Sequence, residues 1–180
     1  MFATHPSRNS IIRWIFIGLV FLPSLAYSEV IQGFRDLKFG MTEQDVQALE
    51  HCTTSSECLY ELAGKNRYLQ PGYSLQTINA HAPQKLSKIS IDMGRFTNEL
   101  YEELQIRLQD QYQVTYDLQN SEIEAFQNEQ SSKLTSAFEN GQVLLQVSRR
   151  KFGVVLLSVI YQNTDLADKF LKNHPTSPKP

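Results

Sequence analysis

Cysteine is scarce in this chain: Cys52 and Cys58 are the only two. That excludes a disulfide-dense scaffold and any four-cysteine zinc module. Long apolar runs are missing as well. The uncharged stretch over residues 14–22 meets Pro23 after nine residues, well short of the roughly 20 that a spanning helix needs. Neither sign of charge dominates: seventeen basic residues face nineteen acidic ones, with a net charge of -2 and a pI near 6.1. A strongly basic nucleic-acid module is therefore disfavoured. The sequence contains no Gly-x-Ser-x-Gly, Walker loop, Gly-x-Gly-x-x-Gly or His-Glu-x-x-His, so the common signatures of hydrolases, nucleotide binders and zinc proteases are absent. What remains is a chain of 180 residues, 41% hydrophobic and 20% charged. That is enough for one modest core and too little for a multidomain enzyme.

Residues 1–28 carry Arg8 and Arg13 with no acid, then the apolar stretch, then Ser24, Ala26 and Ser28 ahead of Glu29. This is the tripartite pattern of a secretory signal peptide, with cleavage expected after Ser28 or, second, after Ala26. Export to the periplasm or beyond follows, with no integral membrane segment after cleavage. No cysteine stands at the cleavage point, which argues against a lipid anchor. The remaining chain would hold fifteen basic and nineteen acidic residues, a formal charge of -4.

In an oxidising compartment two cysteines point to one structural disulfide, Cys52–Cys58. The Cys-x5-Cys spacing is not that of a thioredoxin-like pair. His51 and His81 beside these cysteines match no standard zinc spacing, so neither a metal nor a cofactor is expected.

The rest reads as a single domain over residues 29–173, followed by a disordered polar tail over 174–180. A short strand is expected over 30–39. Thr42 then caps a helix to about residue 50, with Asp45 at N3. Leu59, Tyr60 and Leu62 suggest a turn of helix, and Pro71-Gly72 a chain turn. Residues 74–80 and 85–92 read as a hairpin linked through 81–84. Leu100, Leu104 and Leu108 mark a helix over residues 98–111, capped by Thr97 or Asn98. A short strand over 114–118 precedes the polar segment 119–132, which reads as a loop or short helix. Strands follow over 134–138, 142–149 and 152–161, the last almost wholly apolar and hence central. Glu139-Asn140-Gly141 and Arg149-Arg150-Lys151 are the turns between them. A final helix spans 165–172, capped by Asn163 or Thr164. The expected fold is α+β: a two-layer sandwich of antiparallel sheet covered by helices on one face, with the element order suggesting two similar helix–sheet halves.

The run from Phe34 through Gly40, Met41, Thr42 and Asp45 to Val46 resembles the opening of small exported bacterial proteins in the BamE-like group, over about 13 residues. There a short strand leads through Gly-Met-Thr/Ser into a helix packed on a small antiparallel sheet. The resemblance implies that Gly40, Met41, Thr42 and Val46 are folding residues, and that the protein acts through contacts with other proteins near the envelope. This chain differs in lacking the lipid-attachment cysteine.

No catalytic residues stand out, and no enzyme is expected. Tyr60, Tyr68 and Tyr73 gather beside the cysteine loop, and tyrosine is a favoured interface residue. With the basic cluster Arg149, Arg150 and Lys151, they are the candidate partner-binding residues. The leading expectation is a non-catalytic module that binds an envelope protein. The alternative is a binder of a small ligand or cell-wall glycan, possibly hydrolytic, since glycosidase-type carboxylates leave no local signature. That alternative requires a concave pocket near the sheet.

Overall fold

The computed structural model describes residues 30–74 and 83–174. The proposed signal peptide lies outside the described residues. So do residues 75–80 of the expected strand, His81 and Ala82 of its link, and residues 175–180 of the tail.

The described chain opens with a small hairpin, β1 (Gly33–Phe34) and β2 (Leu37–Lys38), in place of one strand. It reverses at Arg35-Asp36, and Leu37 is fully buried. Helix α1 (Glu43–Gln47) follows. The Thr42 hydroxyl accepts the Asp45 N–H at 3.2 Å, while the Asp45 carboxylate accepts the Thr42 N–H at 2.8 Å. This reciprocal cap satisfies donors that a helix start leaves open, and it lowers the Asp45 carboxyl below the ordinary carboxylate range. Val46 is fully buried one turn on.

One antiparallel sheet of eight strands makes the body of the protein. Its first half is β3 (Cys52–Thr54), β4 (Glu57–Leu62), β5 (Lys65–Ser74) and β6 (Lys85–Arg95). Helix α2 (Asn98–Gln111), capped by Thr97, leads to the second half: β7 (Val114–Tyr116), helix α3 (Asn120–Gln127), β8 (Lys133–Phe138), β9 (Val143–Arg149) and β10 (Val155–Gln162). Helix α4 (Thr164–Asn173), capped by Asn163, closes the order. The spatial order is β3-β4-β5-β6-β10-β9-β8-β7. Each half is a helix followed by four successive antiparallel strands, with α3 inserted between β7 and β8 in the second, and the halves join where β6 pairs with β10. The nearly continuous apolar run of β10 fits this central place.

Side chains alternate across a sheet. On one face Leu69, Ile89, Ile91, Val143, Leu145, Val147, Leu157 and Val159 form the main core with α1, α2 and the β1–β2 hairpin. Leu108 is the buried end of the α2 stripe, with Leu100 and Leu104 packed on the same core. This is the α+β two-layer sandwich, its sheet covered by helices. Helix α4 adds a smaller closure on the opposite face, where Phe170 packs on Ala137, Leu144 and Ile160. No helix among the described residues is long and apolar enough to cross a membrane.

Several local expectations change. Leu59, Tyr60 and Leu62 lie in β4, not in a helical turn, because alternate burial suits a strand that pairs on both sides. Pro71-Gly72 lies inside β5, where the ladder shifts register between Gly72 and Tyr73; proline is tolerated beside such an irregularity. The β4–β5 turn falls at Ala63-Gly64, both with positive φ. Phe152 to Val154 belong to a short 3-10 turn and its exit, so β10 begins only at Val155. His174 caps α4 and stacks on Phe170 at 4.2 Å, so it is part of the fold and not of the tail.

Cys52 and Cys58 are bonded. They stand directly opposite one another in the β3–β4 ladder, with Cα atoms 3.9 Å apart. The bond therefore closes an edge hairpin beside the end of α1.

Candidate functional site

The face of the sheet turned away from α1 and α2 is polar outside the patch that α4 covers. The same alternation that buries Ile89 and Ile91 turns Lys88, Ser90 and Asp92 outward on β6. On β9 it turns out Gln146 and Ser148, and on β10 Leu156 and Ser158. Register lines these up across the strands. Asp92 faces Ser158, Ser158 faces Gln146, and Gln146 faces Thr135. The Gln146 amide donates to the Thr135 hydroxyl at 3.2 Å. A second row runs from Gln70 to Ser90 to Ile160, and a third from Leu156 to Ser148 to Lys133.

These rows floor a shallow groove of about 520 Å³, lined also by Lys88, Lys133, Arg149 and Arg150. Asp92 is its one lining carboxylate, and no histidine lines it. The Asp92 Oδ1 already accepts the Gly94 N–H at 2.7 Å. A neighbouring hollow of about 430 Å³ continues the groove between α3, α4 and β8, sharing Lys133 and Gln146. Its wall holds Phe170 and His174. Nearby, the Tyr116 hydroxyl donates to Glu122 at 2.7 Å. Burial first, and then Glu122, push that phenol up to about 12. Among the described residues no three His, Cys, Asp or Glu side chains gather as metal ligands.

The three candidate tyrosines do not form one surface. Tyr60 is 4% exposed and belongs to the core; its hydroxyl donates to Asp36 and its ring sits beside His51. Strand alternation turns it toward the helices, so it is not presented to a partner. Tyr73 packs on the same core and donates its hydroxyl to the Ser55 carbonyl at 2.5 Å. Tyr68 faces the other way and is 51% exposed, opposite Leu59.

The basic cluster divides as well. Arg149 is tied inward: its guanidinium donates to the Phe126 carbonyl at 2.9 Å, lies over the Phe126 ring and meets Glu129 at 3.4 Å. Arg150 and Lys151 are exposed at the β9–β10 turn.

The groove residues Gln70, Lys88, Ser90, Asp92, Gln146, Ser148 and Ser158 were not among the candidates. Their signal was present in the polar alternation at 88, 90 and 92 and at 146 and 148, and in the lone serine inside the apolar run of β10.

Residues 34–177 match the model of a family described as "Uncharacterised protein", and the chain belongs to that family. No curated protein and no solved structure matches it. The family match does not connect the chain with the BamE-like group.

Proposed function

We propose that this protein is an exported, non-catalytic binding module that holds an acidic or polar segment of another envelope protein on the open face of its sheet. One observation carries the reading. One face of the sheet is covered by α1 and α2, while the part of the other that α4 leaves open is a polar groove lined by four cations, Lys88, Lys133, Arg149 and Arg150, against a single carboxylate. Such a lining favours an anionic partner and sets its register. The serines and glutamines supply donors and acceptors along the floor. Export is supported by the pattern of residues 1–28 and by the Cys52–Cys58 disulfide, a bond that persists in oxidising compartments.

A second reading, a polar small ligand or glycan, draws on the groove's size, which lies within the roughly 300–1,000 Å³ of small-molecule sites. It also draws on Tyr68, an exposed ring on the same face. Photo-crosslinking separates the two. A photoreactive residue at Ser90 or Ser148 is expected to give one discrete protein adduct in the native envelope fraction. The same probe at Ile106, exposed on α2, is expected to give none. Equal adducts from both positions would sink the groove assignment. No adduct from the groove, together with a retained glycan or small molecule, would favour the second reading.

A further inference from the structure

The β9–β10 turn carries a side chain that the fold does not use. Phe152 is 100% exposed. Its backbone stands at φ +65, in the left-handed region, which a bulky side chain adopts at a cost. Asparagine or glycine would suit that backbone better and keep an aromatic ring out of water. Gly153 follows with φ +73, and Val154 is 37% exposed.

The strand register surrounds this ring with positive charge. The turn sits at the end of the sheet where β5 and β8 begin and β6 and β9 end. Lys65, Arg95, Lys133, Arg150 and Lys151 share that end, and all are exposed. None is in an ion pair among the described residues, where the only two are Arg107–Glu103 and Arg149–Glu129. The nearby acids are Glu61, Glu99 in the first turn of α2, Asp92 in the groove that Lys133 and Arg150 rim, and Glu129, which is already held by Arg149. In a chain of net charge -2 this is a local concentration of cations.

We propose that this end of the molecule docks on an anionic lipid surface. Phe152 would enter the boundary between headgroups and acyl chains, and the five cations would meet the headgroup phosphates. The arrangement favours a lipid surface over an acidic protein pocket. The ring is at the apex of the turn. Lys133 and Arg150 also rim the groove, but Lys65, Arg95 and Lys151 do not line it and carry the positive charge across the ends of several strands. A broad, deformable anionic surface meets all of them at once. One aromatic ring is a weak anchor, so the cations supply much of the attraction and the binding is salt-sensitive. The groove shares Lys133 and Arg150 with this end, so a lipid surface and a groove partner compete for those two cations.

The test is flotation of the full chain, in the form the cell accumulates, with vesicles of phosphatidylcholine containing about 30% phosphatidylglycerol against phosphatidylcholine alone. Every variant is prepared in that same form, and the readout is the difference between variants. Phe152→Asn keeps a residue tolerant of positive φ, and a Lys151→Glu, Arg150→Glu double variant reverses the charge. The wild type is expected to bind anionic vesicles about tenfold better than neutral ones and to lose that preference near 0.5 M salt, roughly. Phe152→Asn is expected to lose about fivefold, and the charge reversal about tenfold or more. Variants that float like the wild type on anionic vesicles would overturn the proposal. So would an unchanged vesicle profile combined with loss of a captured protein, which would make the turn a protein anchor instead.

Discussion

Cys58 is fully buried and Tyr60, two residues on, is 4% exposed, so the disulfide and the Tyr60 ring secure the same edge of the core. Closing a loop of this length should contribute about 2 kcal/mol through the unfolded chain. A Cys52→Ala, Cys58→Ala variant is therefore expected to unfold at lower denaturant with its fold intact, and reductant should do the same to the wild type. No difference between oxidised and reduced protein in urea titration would show the bond to be unimportant for stability. The tyrosines make a second prediction. Tyr73 is pushed up to about 12, by burial first and by Glu43 second, and Tyr116 reaches a similar value. Both folded values exceed the unfolded one near 10, so in this window the folded state keeps protons that the unfolded chain has lost. Their contribution is complete below about pH 10 and is lost as pH rises towards about 12. Denaturation midpoints should fall across that window, and Tyr73→Phe should flatten part of the fall. At this scale the sequence was partly legible. The pairing of two cysteines and the caps Thr42 and Asn163 follow from local chemistry. The separation of Tyr60 from Tyr68 required the strand assignment of β4 and β5, which three apolar residues read as helix could not supply.

Helix α2 and helix α4 are set by different local signals. The α2 stripe of Leu100, Leu104 and Leu108 is visible as periodicity, and the Thr97 hydroxyl accepts the Leu100 N–H at 3.2 Å. Thr97→Ala is expected to cost about 1 kcal/mol, read as a lowered urea midpoint; Thr97→Asn should restore it. Helix α4 depends on a turn distant in sequence. Gly141, at φ +78, lies under it, and a Cβ there would come 3.3 Å from the Leu171 side chain. Gly141→Ala combines a strained backbone with crowding and should destabilise by about 1–2 kcal/mol. Faster amide exchange should follow in α4, whereas α2 should be unaffected; equal loosening of both helices would refute this local account. The Glu139-Asn140-Gly141 turn was readable because its residues tolerate left-handed backbone. The Pro71-Gly72 pair was misread for the same kind of reason. Turn chemistry is local, whereas its inclusion in a ten-residue strand is decided by pairing with β6, where Pro71 stands opposite Ile89 and Gly72 opposite Lys88.

For the whole molecule, the sheet is formed by joining the two halves through β6 and β10, strands separated by α2, β7, α3, β8 and β9 in the chain. Fold class could be read from alternation and element order. The groove could not, because its lining takes residues from β5, β6, β8, β9 and β10, and no short window holds more than four of them. Polar residues spaced by two announce only that a strand has a wet face; whether the wet faces of five strands line up depends on register. The functional claim therefore stands at this scale and is tested here. The most direct measurement compares wild type with Ser158→Tyr, which fills the middle of the groove without touching the core, in capture of a protein from the native envelope fraction. With thermal unfolding of the two proteins matched, the wild type should recover a stoichiometric protein partner and the variant should lose it by about tenfold or more. Capture of that partner at equal yield by the filled groove would contradict the account.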